Sequence, residues 1–258
     1  VSARKLLGAF GLPQAIFEKP DAALRQLVSA NQALTLRSEP AELPDLLART
    51  WDWLHHAAPD QPPRRVLSLG DAQYPTALLQ LDDPPLLLYL LGRAEFAPSP
   101  DTQALCIDPA ASVAVVGSRN PTPQGASNAR LFAKALAQAG LSVVSGLALG
   151  VDGAAHAGAL EAVDGHTRHG VTLAVVGTGL DRVYPSAHRE LAHRIAEHGL
   201  LVSEYPLGTP PLNANFPKRN RLIAGLAQGT LVVEAALKSG SLISARLCSE
   251  QGKDVFAI

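Results

Sequence analysis

The sequence predicts a doubly wound α/β protein with a mostly parallel sheet, preceded by a small all-helical domain. Three observations carry that reading. From Val113 onward, six short apolar runs alternate with five amphipathic stretches of helical length. The runs are apolar at nearly every position, as expected of parallel strands covered on both faces. Before about residue 60, apolar residues recur at helix spacing, with no strand-like run between them.

The helical domain is assigned to residues 1–62. Leu6, Leu7 and Phe10, then Ile16 and Phe17, flank the break Gly11-Leu12-Pro13, and residues 22–36 and 43–54 continue the pattern. A Gly-Leu-Pro turn between short helices suggests a helix-hairpin-helix relative, and a packing domain without a ligand fits equally. Trp51 and Trp53, beside His55 and His56, read as core or interface rather than as a platform for bases. Residues 59–63 read as a linker. A short strand over 66–69, the segment 74–92 and a Pro-rich loop over 98–111 follow.

The larger domain is assigned to residues 63–258. Strands are predicted at 113–117, 142–146, 172–177, 200–205, 230–234 and 254–258. Helices are predicted near 125–139, 152–163, 186–198, 217–227 and 241–251. Alternation of this length means a parallel sheet with helices on both faces. The last run, Val255-Phe256-Ala257-Ile258, has no turn after it, so the natural chain is expected to continue.

At 258 residues, 47% hydrophobic, the chain can bury a core and a smaller domain besides. Its most apolar stretch, 84–91, is too short to span a bilayer, and no secretion signal opens it. The two cysteines, Cys106 and Cys248, form no C-x-x-C and fit a reducing, cytoplasmic setting. With a net charge of −1, any nucleic-acid binding must come from a local basic patch.

In a doubly wound sheet, ligands sit outside the carboxyl ends of the strands, so the loops there are informative. They read Gly117-Ser118-Arg119-Asn120, Ser145-Gly146-Leu147-Ala148-Leu149-Gly150, Gly177-Thr178-Gly179 and Lys238-Ser239-Gly240-Ser241. Small residues admit a phosphate close to the backbone, and helix N-termini supply free N–H groups. Arg119 adds a bidentate cation at that edge. The densest signal is Asn215-Phe216-Pro217-Lys218-Arg219-Asn220-Arg221, where an aromatic precedes three cations in four residues. Cations track a single strand's backbone while a ring stacks a base. The same pattern also fits a solvated basic turn with Phe216 in the core.

Catalytic motifs are poor. There is no G-x-x-x-x-G-K-[ST] and no H-E-x-x-H. His166 and His169 lie in a loop with no third ligand in sequence. Asp152 fits a helix cap as well as a ligand contact. Glu204 and Glu234 sit at strand ends, where a general base could stand, but without a partner in sequence.

Taken together, these stretches resemble the DNA-processing protein A (DprA/Smf) family. The similarity runs through Val116-Gly117-Ser118-Arg119, the Ser145–Asp152 loop, His156, and Gly177-Thr178-Gly179-Leu180-Asp181 with Tyr184-Pro185. It continues in Ser203-Glu204-Tyr205-Pro206, Phe216-Pro217-Lys218-Arg219-Asn220-Arg221, Val233-Glu234-Ala235 and Ser239-Gly240-Ser241. The helical N-terminus resembles the SAM-like domain of many members. The resemblance implies an extended Rossmann-like fold and no enzymatic activity. It implies a homodimer that binds and protects single-stranded DNA in natural transformation and helps load the RecA recombinase. It also implies a phosphate pocket at Arg119, a base contact at Phe216 and the basic run Lys218, Arg219 and Arg221. With these stand Gly117, Ser118, Ser145, Gly146, Asn220, Gly240 and Ser241 as the predicted DNA-binding set, with no cofactor or metal.

Two other function classes share parts of this pattern. Phosphoribohydrolases of related fold use a G-x-G-T-x-x-E loop, but Ser244 stands here where the acid would be. A dinucleotide oxidoreductase needs G-x-G-x-x-G after the first strand, and the chain has Gly117-Ser118-Arg119-Asn120-Pro121.

Overall fold

The computed structural model describes residues 2–58, 60–96, 104–164, 166–236 and 239–258. Five helices come first: α1 Ser2–Phe10, α2 Pro13–Phe17, α3 Asp21–Leu24, α4 Ala30–Leu36 and α5 Leu43–His55. Gly11 takes a positive φ of 80°, which ends α1, and Pro13 opens α2 at a position where no amide is needed. Leu6, Ile16, Leu24, Val28 and Ala33 form a small core of their own.

The single helical pattern expected over 22–36 is broken. Ser29 caps α4 by accepting from the Gln32 amide, and the Gln32 side chain accepts from the Ser29 amide in return. That capping box starts a new helix. Helix α5 packs onto the larger domain instead of into this small core. Trp53 meets Tyr89 edge-on at 6.2 Å, and Arg64 donates to the Trp53 carbonyl at 2.9 Å. Trp53 is thus an interface residue as expected, whereas Trp51 is 63% exposed and stacks on His55.

The strands are β1 Arg64–Ser68, β2 Leu87–Leu91, the short pair β3 Ala94–Glu95 and β4 Leu105–Cys106, β5 Ser112–Gly117, β6 Ser142–Ser145, β7 Thr172–Val175, β8 Leu200–Ser203, β9 Gly229–Val233 and β10 Asp254–Ala257. The main sheet has the order β1-β2-β8-β7-β6-β5-β9-β10. Strands β5 to β10 pair in parallel, and β2 and β1 add an antiparallel edge beside β8.

Helices α6 Pro123–Gln138, α7 Val151–Leu160 and α8 Arg189–His198 cover one face, and α9 Asn215–Gly225 and α10 Ser241–Glu250 the other. Along each strand, successive residues supply both layers: Val115 faces α6–α8, while Ala114 and Val116 face α9 and α10. This explains the unbroken apolar runs. The chain leaves β5 toward β6, β7 and β8, then returns to place β9 on the other side of β5. The switch between β5 and β9 opens a crevice at the carboxyl edge.

His156 of α7 lies wholly inside. The Thr172 hydroxyl donates to the Val143 carbonyl, so His156 Nδ1 must donate to Thr172 Oγ1 at 2.7 Å. Its Nε2 is buried without a partner. Burial first, then the His188 and Arg219 charges, push its pKa down to about 3. Below the unfolded value of about 6.5, the unfolded chain binds a proton that the folded one refuses. The His156 contribution is therefore complete above about pH 6.5 and shrinks on acidification, by about 1.4 kcal/mol per pH unit. Urea titrations between pH 7 and 5 should show this slope in the wild type and a shallower one in His156→Gln. Equal slopes would contradict the assignment.

Candidate nucleic-acid interface

At the end of β5 a side chain on Gly117 would meet the Val233 carbonyl, its Cβ only 1.9 Å from that oxygen. Glycine lets β5 and β9 run this close. Ser118 then turns the chain: its hydroxyl accepts from the Asn120 amide at 3.1 Å, and its carbonyl accepts from the Val151 amide at 3.0 Å. Arg119 is left exposed at the crevice mouth, with its guanidinium 5.8 Å from the centre of the Phe216 ring. Lys218, in the first turn of α9, is also exposed. Neither cation has a carboxylate partner among the described residues.

Phe216 is positioned from below. The Asn215 side chain donates to the Gly177 carbonyl at 3.1 Å, and a Cβ on Gly177 would stand 3.1 Å from the ring. Opposite, Asn220 donates to the Gly240 carbonyl at 3.0 Å, tying α9 to the start of α10. Ser118, Arg119, Phe216, Asn220, Gly240 and Ser241 thus line one cleft of about 470 Å³. This volume suits a nucleotide unit. Lys238, part of the predicted fourth loop, lies outside the described residues.

Other predicted contacts have partners within the protein. Ser145 is fully buried and spends its hydroxyl on the Val115 carbonyl at 2.7 Å. The Gly146 amide donates to Asp152 Oδ2 at 3.2 Å, so it has no proton to offer a phosphate. Arg219 is only 4% exposed and donates to the carbonyls of Gly146 and Val175. Burial lowers its pKa against the support of Asp152, and burial pushes the Asp152 carboxyl up against the pull of Arg219. Arg221 is paired with Glu204, whose carboxyl burial also pushes up. Of the basic run, Lys218 is exposed, Arg219 is turned inward by the step of about 100° per residue, and Arg221, on the same side as Lys218, is partly exposed and held by Glu204.

The strand-end acids are engaged structurally. Glu234, at φ 48°, binds the Thr122 amide at 2.7 Å and the Thr122 hydroxyl, while Thr122 caps α6. Asp152 accepts from the Gly146 and Ala148 amides. Among the described residues, no three His, Cys, Asp or Glu side chains converge as metal ligands. Nor is any helix among them long and apolar enough to cross a membrane. Tyr184 is the residue that the predicted site set missed. It stacks on Phe216 with ring centres 5.5 Å apart. An aromatic following the Gly-Thr-Gly loop after β7 was the available signal.

Fold and cleft together define a doubly wound α/β protein with a crevice at its switch point. The family described as DNA recombination-mediator protein A matches residues 65–258, and the chain belongs to that family. It is 43% identical over 200 residues to Protein Smf of Escherichia coli K12, across 77% of this chain and 49% of the relative. It is 42% identical over 191 residues to DNA processing protein DprA of Streptococcus pneumoniae, across 74% of this chain and 61% of the relative. The chain therefore spans about half to three fifths of the length of these relatives. The solved S. pneumoniae DprA superposes with a TM-score of 0.73 at 32% identity, over 99% of this chain and 80% of that one. DNA processing protein A of Helicobacter pylori, described for its single-stranded DNA binding mode, gives 0.62 at 32% identity, over 75% and 80%.

Proposed function

We propose that this chain binds single-stranded DNA across the carboxyl edge of its sheet and does no covalent chemistry on it. The observation that carries the reading is the pairing of an unpartnered Arg119 with Phe216 at the mouth of a nucleotide-sized cleft. A phosphate held by Arg119 and the start of α10 leaves the neighbouring base beside an aromatic ring. Phosphate and stacking contacts read little sequence, so discrimination among sequences is low. In the cell we infer a cytoplasmic homodimer that shields DNA entering during natural transformation and helps load RecA onto it. Membership of the family and the binding mode described for the H. pylori protein support this role.

The engagement of the described strand-end acids and of Asp152 supports the non-enzymatic part. Glu204, Glu234 and Asp152 are each held by donors of the protein, and Ser244 occupies the hydrolase acid position, 1% exposed. Release of free base from a nucleotide incubated with the protein would overturn it. The binding itself is tested by salt. With Arg119 at the cleft and Lys218 exposed in the first turn of α9, log Kd against log salt should have a slope of about 0.7–1.4, at about 0.7 per neutralised phosphate. A flat response would contradict the phosphate site.

A further inference from the structure

Phe216 and Tyr184 form two successive walls between cavities. Phe216 separates the 470 Å³ cleft from a small space of about 70 Å³ that Arg119 and Tyr184 also line. Tyr184 in turn separates that space from a second cleft of about 600 Å³. The two rings are stacked at 30°, with centres 5.5 Å apart. A base between them would need about 3.4 Å of spacing on each side, more than the gap allows. Bases must therefore meet the outer faces of the pair: one on Phe216 toward the first cleft, one on Tyr184 toward the second. Tyr184 is 48% exposed and lines the second cleft.

The second cleft combines an apolar wall with a charged rim. Its wall beside Tyr184 is apolar, from Val176, Leu180 and Val183. Around it stand charges of both signs: Arg182 pairs with Asp181 at 3.0 Å and Glu197 with Arg93 at 2.7 Å, and Arg64 and Arg189 also line the cleft. A base can lie against the apolar wall while Arg64 and Arg189 face the strand that carries it.

We propose that Tyr184 is a second stacking step, and that the cleft beyond it receives a further base of the same DNA strand. The inference rests on the reading in which single-stranded DNA meets Phe216.

The test is photo-crosslinking with an oligo-dT carrying 5-iodouracil, mapped by mass spectrometry, together with titrations of Tyr184→Ala and Tyr184→Phe. Crosslinks are expected at both Phe216 and Tyr184. Tyr184→Ala should weaken binding by roughly 5- to 150-fold, the span of one lost stack, and Tyr184→Phe should keep it. A crosslink at Phe216 alone overturns the inference and leaves the proposed function standing. That holds even if Tyr184→Ala binds weakly, since Tyr184 would then merely brace Phe216. Crosslinks at neither ring, with no measurable binding, overturn both.

Discussion

Replacing Arg219 with alanine is expected to lower the unfolding free energy by about 3–5 kcal/mol, the cost of breaking one side of a buried charge pair. The guanidinium is enclosed, donates to the Gly146 and Val175 carbonyls and faces the buried Asp152 carboxylate. Its removal strands two carbonyls and leaves a carboxylate without its counter-ion. Domains are stable by only about 5–15 kcal/mol in total, so the variant should melt early. The pH dependence adds a signature. Without Arg219, burial raises the Asp152 pKa further, so the folded variant binds a proton that the unfolded chain releases. The deficit against wild type should narrow as pH falls. Lys218→Ala, one residue away but exposed, should change stability by no more than about 0.5 kcal/mol. Urea unfolding of both variants checks this, and equal losses would refute the buried role. The same geometry explains Gly146, where a Cβ would lie 2.3 Å from the guanidinium.

The second large effect falls on binding. Phe216→Ala should cost about 1–3 kcal/mol of affinity for single-stranded DNA, the worth of one stacked base. Arg119→Ala should cost a similar amount, since charge-assisted contacts contribute about 1.5–3 kcal/mol. Because Arg119 rests against the Phe216 ring, the two losses should not add. Neither substitution removes a buried group, so both proteins should remain folded.

Much of the fold was legible because its signals are local. The six parallel strands and five helices of the α/β domain follow from apolar runs and their spacing. Strand β2 escaped, because Leu87–Leu91 is an apolar run next to Pro84 and Pro85, and nothing local says that it pairs antiparallel with β8. The Ser29/Gln32 capping box was present in the sequence but hidden under an otherwise helical periodicity.

At the site, Arg119, Phe216 and the Gly240 turn were legible from their places at a strand end and at helix starts. Composition groups Arg219 with its neighbours, while helix phase turns it inward. Arg219, Leu222, Ile223 and Leu226 stand at i, i+3, i+4 and i+7, all buried. That stripe marks Arg219 as part of the inner face. Ser145 and Gly146 lie in a Gly-rich loop of the kind that meets phosphates. Their groups are instead satisfied by Val115, Asp152 and Arg219, contacts across 30, 6 and 73 residues. The two longer contacts cannot be read from the loop itself.

The most direct test of the central claim is fluorescence anisotropy of a labelled oligo-dT titrated with wild type, Arg119→Ala and Phe216→Ala, with duplex of the same length as competitor. The structure predicts tight single-strand binding that duplex competes for poorly and that both substitutions weaken. Binding that ignores both substitutions, or no binding by the wild type, would contradict the placement of single-stranded DNA at the crevice between β5 and β9.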